Sequence, residues 1–227
     1  MQKRLVWDIP TRLFHWLLVL SLCGQYVTAE LMDNAMQWHF YLGYFTLGLI
    51  VFRIIWGFAG PQYARFSNFV RGPVPVIHYI KTLPNKHSTE TAGHNPLGGW
   101  VVVLMLVLVA VQAVSGLFMT DDIFLDGPYR HTVSDSALSI MNTLHHNAFN
   151  ILLAVIALHI AAIAFYAIYK KQSLTPPMIH GKKATNSPGI SSSRLLLAVI
   201  VIAIVAAIVY AGVEVLPPEP VDDGFYY

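Results

Sequence analysis

Residues 144–159 read LHHNAFNILLAVIALH, an apolar run with histidines at both ends. His145 and His159 are fourteen residues apart. A helical rotation of about 100° per residue brings them to within roughly 40° of one face, and the rise per residue separates them by about 21 Å along the axis. The stretch therefore predicts a membrane-crossing helix that presents one imidazole near each side of the bilayer.

The composition predicts an integral membrane protein. Of 227 residues, 56% are hydrophobic and 11% are charged, which is too little charge to cover the surface of a soluble domain of this length. We expect membrane lipid around the chain and no nucleic-acid partner. The single cysteine, Cys23, excludes an intrachain disulfide and a Cys-x-x-Cys-His haem attachment. We expect Cys23 to be a small core residue.

Five apolar segments reach the length of a membrane span, and they cover residues 13–29, 39–58, 97–119, 145–169 and 195–215. The first resembles a signal peptide with a possible cleavage site at residues 27–29. Asp8, Pro10 and the pair His15-Trp16 are atypical of such a peptide and favour a retained helix. The predicted fold class is therefore all-α integral membrane.

The segments between the spans predict how the chain is divided. A first domain at residues 1–171 contains four spans, and residues 172–194 form a cytoplasmic linker whose Ser-, Gly- and Asn-rich part, 182–193, reads as flexible. A fifth span at 195–215 and an extended tail at 216–227 follow. Between prolines in the long second loop, residues 76–83 predict a short interfacial helix.

The charges predict the orientation of the chain. If the five spans alternate, 13 of the 14 basic residues fall on the side that holds the N-terminus, and the other side has one basic residue, Arg130, among many acidic ones. Basic loops remain cytoplasmic. We therefore expect a bacterial inner-membrane protein with its N-terminus in the cytoplasm and its C-terminus in the periplasm.

Ten histidines fall into two groups. Those in loops are expected to be exposed; they are His78, His87, His94, His131 and His180. Those in or at the ends of spans are expected to be functional or to bond to neighbouring helices; they are His15, His39, His145, His146 and His159.

Four of the membrane histidines fall at two matched depths. His15 and His159 lie toward the inner side, whereas His39 and His145 open their helices on the outer side. Two opposed imidazoles in each layer suit bis-histidine ligation of haem iron. Zinc would require three or four ligands converging on one point. The sequence therefore predicts two bis-histidine haem sites, with His145 preferred over His146 because His146 is rotated by about 140° from His159.

Other residues near these histidines have two readings each. Gly43 leaves room for a flat macrocycle or for close packing of helices, and Gly48 extends the same side of the helix. Arg53 reaches the inner layer, where it would bind haem propionates or anchor the helix at the inner surface. Arg12 is a second propionate candidate. His146 would contact the outer haem or cap the helix entrance.

Several motifs resemble those of bacterial cytochrome b561 and the b-type cytochrome subunits of nickel-iron hydrogenases. They are WDIPTRLFHW at residues 7–16, the spacing His39-x3-Gly43-x9-Arg53, HNPLGG at 94–99, and the run from Thr120 through Pro128. The resemblance covers about residues 3–171. It implies a four-helix transmembrane haem-binding bundle with two b haems, ligated by His15 with His159 and by His39 with His145. The fifth helix lies outside the resemblance.

The resemblance implies electron transfer between membrane quinones or quinols and a periplasmic partner, such as a c-type cytochrome. In that case the chain is a respiratory electron-transfer subunit rather than a stand-alone enzyme. One alternative is the membrane anchor of a hydrogenase or a similar periplasmic oxidoreductase, and another is a His-lined transporter or proton channel without haem. For a quinone site the candidates are Tyr129, Arg130 and His131, and an oligomer is compatible with the sequence.

Overall fold

The computed structural model describes residues 2–86, 91–121, 123 and 125–218. His87, Asp122 and the tail from residue 219 onward lie outside the described residues, so the expectations for them are not addressed by the structure.

Long helices form most of the molecule. The helices in chain order are α1 (Ile9–Tyr26), α2 (Met36–Ala59), α3 (Phe66–Phe69), α4 (Pro73–Thr82), α5 (Pro96–Gly116), α6 (Asp135–Ile168), α7 (Thr175–His180) and α8 (Leu195–Tyr210). Wider π-type turns extend α1 through Val27–Leu31 and α8 through Ala211–Val215. Short 3₁₀ turns cover Gln62–Ala64 and Arg130–Thr132.

Side-chain caps explain where several of these helices begin. The Asp8 carboxylate accepts a hydrogen bond from the Thr11 backbone N–H at 2.9 Å, and the Asn95 side chain accepts one from the Gly98 N–H at 2.7 Å. In both helices a proline occupies the first turn, where its missing N–H costs nothing. At α6 the cap is Ser134. These caps fix the level at which each helix starts.

Among the described residues, four helices are long and apolar enough to cross a membrane. They are Met36–Ala59, Pro96–Gly116, Asp135–Ile168 and Leu195–Val215. The predicted first span is a helix, α1, but it is not one of these four, so five spans remain a prediction. The expected start of α6 at residue 145 is wrong, because the Ser134 cap begins the helix ten residues earlier.

The helices pack around α2. It contacts α1, α5 and α8, whereas α6 packs along α5. The apolar core between α1, α2 and α8 includes Phe14, Trp56 and Val205. Helix α8, the predicted fifth span, thus packs against α2 and α1. A Cβ at Gly48 would meet Val205 and Val209 at 3.8 and 3.7 Å, so Gly48 serves helix packing and not a macrocycle.

A two-stranded antiparallel sheet joins the start of the chain to the segment after α6. Strand β1 (Gln2–Leu5) pairs with β2 (Lys182–Thr185), with Gln2 opposite Thr185 and Leu5 opposite Lys182. The expectation of a flexible segment from residue 182 is wrong for β2. Helix α4, by contrast, covers most of the predicted interfacial helix. We call the end of the bundle near this sheet the inner end and the opposite end the outer end.

Candidate functional site

His39 and His145 face each other near the outer end of the bundle. His39 lies in the first turn of α2, and His145 lies about three turns into α6. Their ring centroids are 6.4 Å apart and the rings are nearly perpendicular, at 79°. Two imidazole nitrogens that share one metal ion, each about 2 Å from it, place the ring centroids roughly 6 Å apart. The separation therefore suits one metal ion between the two rings.

A backbone carbonyl determines the tautomer of His39. Nδ1 of His39 lies 3.1 Å from the carbonyl oxygen of Gln25. Because a carbonyl only accepts, Nδ1 carries the proton and Nε2 keeps its lone pair. The Gln25 side chain donates to Thr46 at 2.6 Å, which ties this turn of α1 to α2. His39 therefore offers Nε2 as a metal-binding nitrogen in a fixed orientation.

Ser115 does the same for His145. The Ser115 hydroxyl donates to the Val111 carbonyl at 2.7 Å, so its oxygen is left to accept from Nδ1 of His145 at 3.0 Å. Ser115 is 1% exposed, so the bond is shielded from water. Metal-binding histidines usually donate their second ring N–H in this way. Ser115 and Gln25 were not identified from the sequence, because a hydrogen-bonding serine inside an apolar helix has no distinctive spacing.

A cavity of about 1190 Å³ surrounds this histidine pair, between α1, α2, α5 and α6. It exceeds the usual volume of small-molecule sites, about 300–1,000 Å³. A Cβ at Gly43 would meet no atom within 4 Å, and one at Gly116 would lie 3.2 Å from Cε1 of His145. Cys23 also lines the cavity and is exposed, so the expectation that it is a core residue is wrong. The cavity has the room that a flat macrocycle needs.

His146 is exposed and lines the same cavity. Its ring lies 6.1 Å from that of His145, at 86°. The ring that faces His39 belongs to His145. His146 is thus placed at the side of the cavity, beside the pair rather than within it.

The inner histidines lie near His94, which in turn lies near a buried arginine, Arg53. His15 of α1 and His159 of α6 are within electrostatic reach of each other, and both are within reach of His94. Arg53 is 2% exposed, and its guanidinium lies over the ring of Phe66, with 4.9 Å from Cζ to the ring centroid. Within the described part of the chain, Nδ1 of His15 and Nη1 of Arg53 are buried without a hydrogen-bond partner.

Asp8, the acidic residue whose charge acts on Arg53, already accepts hydrogen bonds from other groups. Asp8 is fully buried and accepts from the Thr11 N–H and hydroxyl and from the Trp56 indole N–H at 3.0 Å. Its charge acts on Arg53, but no ion pair joins the two among the described residues. A buried charge without a close partner costs several kcal/mol. The inner region is therefore suited to an anionic group that would meet Arg53.

His94 is not the exposed loop residue that the sequence predicts. Its ring packs between Trp7 and Phe69, with ring centroids 4.8 and 4.6 Å away. Its Nδ1 is buried and, among the described residues, unbonded. Burial and the nearby charge of Arg53 lower the pKa of His94 to about 3, so the imidazole is neutral at physiological pH. No local pattern predicts this burial, because Trp7 and Phe69 are both distant from His94 in sequence.

The remaining predicted residues have structural partners. The Arg12 guanidinium donates to the carbonyl of Ile179 in α7, while its Nε is buried without a partner in the described chain. Of the quinone candidates, Tyr129 donates to the Gly212 carbonyl at 2.8 Å, and Arg130 and His131 bind Asp126 at 3.2 and 3.0 Å. Arg130 also lines the cavity. The loop therefore connects the cavity to the outer end of α8.

Within the described residues, no group of three or more His, Cys, Asp or Glu side chains is arranged to hold a metal ion. A haem requires only its axial side chains from the protein, because the macrocycle supplies the other iron ligands. The opposed pair of His39 and His145 fits that requirement.

The chain is similar to several known proteins. A family model described as prokaryotic cytochrome b561 matches residues 6–181. A probable Ni/Fe-hydrogenase B-type cytochrome subunit of Azotobacter chroococcum mcd 1 is 24% identical over 213 residues, covering 78% of this chain and 86% of the relative. The protein of the same description from Rhizobium leguminosarum bv. viciae is also 24% identical, covering 80% and 89%. That from Azotobacter vinelandii is 25% identical, covering 78% and 86%.

No solved structure matches the chain. The family model, however, spans most of its length and includes all four helices that line the cavity. Membership implies haem b, and the apolar helices and the family together indicate a multi-pass membrane protein. The chain belongs to the prokaryotic cytochrome b561 family and is a membrane cytochrome of the b type that transfers electrons.

Proposed function

We propose that this cytochrome holds two b haems, one between His39 and His145 and one between His15 and His159, and conducts electrons from one face of the membrane to the other. The observation that carries the proposal is the outer pair. Its rings face each other at 6.4 Å, and each has its Nδ1 engaged so that Nε2 is free. Gln25 and Ser115 would keep both rings in that orientation.

The outer cavity supports the same proposal. Gly43 and Gly116 leave space on α2 and α5 beside the two imidazoles. His146 would contact the outer haem, and Arg130, which lines the cavity, would be a candidate partner for a propionate. When bound, a haem supplies the one-electron redox centre, and the protein adjusts its potential through ligands, burial and hydrogen bonds.

For the inner haem, the support is a group of buried nitrogen atoms that have no hydrogen-bond partner among the described residues. Arg53 is buried with an unbonded Nη1, and His94 is buried with an unbonded Nδ1. We propose that both donate to propionate groups there, and that Arg12 contributes through its buried Nε. A carboxylate in this position would offset the cost of burying the arginine charge.

The proposed partner is a hydrogenase on the outer face, because the relatives are described as B-type cytochrome subunits of Ni/Fe hydrogenases. Electrons would then pass through the outer and inner haems to a membrane quinone. A periplasmic c-type cytochrome is the second candidate, favoured by the acidic outer loops, which would attract a basic soluble protein. Added salt should weaken such an association.

Absorbance and haem content test this proposal against a transporter or channel without haem. The purified protein should be red, with two haems per chain. His15→Ala and His159→Ala should each remove one haem and leave the other, whereas the control His78→Ala, at an exposed histidine of α4, should keep both. A folded, helical but colourless protein would exclude the proposal. Loss of both haems from either inner variant would argue against two separate sites.

The proposed orientation places the inner end in the cytoplasm and the outer end in the periplasm of a bacterial inner membrane. It rests on the distribution of basic residues, since most of the lysines and arginines lie in the segments before α1, between α2 and α5, and between α6 and α8. It also requires α1 to cross the membrane.

A further inference from the structure

A second, smaller cavity lies at the inner end of the bundle, apart from the histidines. Its volume is about 210 Å³, and it lies between the turn after α2 and the segment that leads into α8. Two arginines, Arg65 and Arg194, and two serines, Ser191 and Ser192, line it. No acidic side chain is among its described lining residues, so the pocket is cationic and rich in hydrogen-bond donors.

The two arginines have unused hydrogen-bonding capacity. Nε of Arg65 is buried and has no hydrogen-bond partner among the described residues. Arg194 uses Nη1 to donate to the Ala59 carbonyl at 2.9 Å. In the part of the chain that the structure describes, neither guanidinium forms an ion pair with a carboxylate. The two arginines therefore have no counter-charge among the described residues, and Arg194, which is exposed, is accessible to a ligand.

The walls of the pocket are held in place. On the side that leads to α8, the Tyr63 hydroxyl donates to the Pro188 carbonyl at 2.6 Å, and the Ile190 N–H donates to the Leu5 carbonyl at 2.8 Å. The Arg194 N–H donates to the Ser192 hydroxyl at 3.0 Å. A preorganised site loses less conformational entropy when a ligand binds.

We propose that this pocket binds the phosphate group of an anionic phospholipid. Guanidinium groups are the preferred partners of phosphate oxygens, and serine hydroxyls add further donors. The level of the pocket relative to the membrane favours a lipid over a free ion. The pocket lies where two apolar helices, Met36–Ala59 and Leu195–Val215, reach their inner ends, which is the level of the headgroups. The bound lipid would hold α8 against the end of α2.

Native mass spectrometry of the full chain in detergent tests the proposal. Wild-type protein should bind one phosphatidylglycerol more tightly than it binds phosphatidylcholine, whose headgroup has no net charge. Arg65→Gln should weaken that binding by about tenfold, because it removes a charge-assisted hydrogen bond, and the double variant with Arg194→Gln should weaken it further. The double variant Arg71→Gln/Lys81→Gln is the matched control, because it removes two exposed charges from the same end.

The control should bind phosphatidylglycerol as the wild type does. An equal loss in the control, or equal binding of both lipids, would overturn the proposal. Inorganic phosphate distinguishes the two sources of a phosphate group: if it binds at millimolar concentration and phosphatidylglycerol does not bind, the site takes free phosphate and not lipid. Since the Arg65 side chain has no hydrogen bond among the described residues, Arg65→Gln should fold, and helical circular dichroism checks this. The conservative variant Arg65→Lys should retain part of the affinity.

Discussion

Ser115 is the residue through which the environment of the outer haem can be changed without removing a ligand. Ser115→Ala should remove the hydroxyl acceptor of Nδ1–H of His145 and leave only the Gln112 backbone carbonyl beside it, so the imidazole becomes a weaker electron donor to the iron. Haem affinity should fall by about 10–100-fold, as for other partners of metal-binding histidines, and the reduction potential of the outer haem should rise. Haem titration and a spectroscopic redox titration measure the two effects.

The control for Ser115 is Thr185→Ala. Thr185 is also buried, at 8% exposed, but it lies in β2 at the inner end, away from the outer histidine pair, and its hydroxyl accepts a hydrogen bond from the Ser187 N–H at 3.1 Å. It should change stability and leave the potential unaltered. Equal shifts in the two variants would show that Ser115 acts through packing and not through His145.

Arg53 provides the corresponding test at the inner site. A buried positive charge favours the reduced haem, so Arg53→Gln should lower the reduction potential of the inner haem by about 60 mV or more, the one-electron equivalent of a tenfold change. Arg53→Lys should keep part of the wild-type potential, because lysine has the same charge but lacks the planar guanidinium group. The control is Arg71→Gln at an exposed arginine. An unchanged potential in Arg53→Gln would remove Arg53 from the inner site.

The histidine spacings could be predicted from the sequence, whereas the residues around them could not. The spacing of fourteen residues between His145 and His159 places both side chains on one face of a helix, however that helix packs. The hydrogen bonds to Gln25 and Ser115 depend on how α1 and α5 approach the histidines, which no local pattern specifies. His94 was misjudged for the same reason, since its burial comes from Trp7 and Phe69, both distant in sequence.

Among the elements, α2 separates two roles by the positions of its glycines. Gly43 opens onto the cavity, whereas Gly48 lies against α8. Gly43→Leu should therefore block the outer haem and reduce the haem content to one per chain, with little effect on α8. Gly48→Leu should keep both haems and destabilise the contact with α8 by about 1–3 kcal/mol, as overpacking does. Pyridine haemochrome assays and thermal unfolding distinguish the two outcomes.

Each glycine variant is the control for the other, because both place the same side chain on the same helix. If both lose haem, the cavity extends to α8 or the helix as a whole is disturbed. If neither does, Gly43 does not border the haem. The sequence did not separate the two glycines, since a small residue looks the same whether it faces a cofactor or a helix.

Local sequence signals predict some element boundaries and not others. The Ser134 cap and the acidic first turn at Asp135 predict a helix start in the sequence, but the apolar run alone suggested a later one. The pairing of β1 with β2 had no such signal, because residues 2–5 and 182–185 are far apart and short. The two strands meet only because the fold brings the segment before α1 next to the segment after α6.

For the whole molecule, that strand pairing bears on the number of membrane crossings. It requires the segment before α1 and the segment after α6 to lie on the same side. An even number of crossings must therefore separate them. If α2, α5 and α6 cross, as their length and hydropathy indicate, then α1 must cross as well, although Arg12, His15 and Gln25 make it less apolar. We infer five spans when α8 is included.

Single-cysteine labelling tests this topology and the orientation together. In a Cys23→Ser background, cysteines at Gln2 and Lys81, both exposed, should react with a membrane-impermeant maleimide only after the cells are opened. A cysteine at Asp33, in the turn between α1 and α2, should react in intact cells, because α1 carries it to the outer side and the basic loops stay in the cytoplasm. If positions 2 and 33 react under the same condition, α1 does not cross the membrane. If position 2 reacts in intact cells and position 33 reacts only in opened cells, the orientation is the reverse of the proposed one.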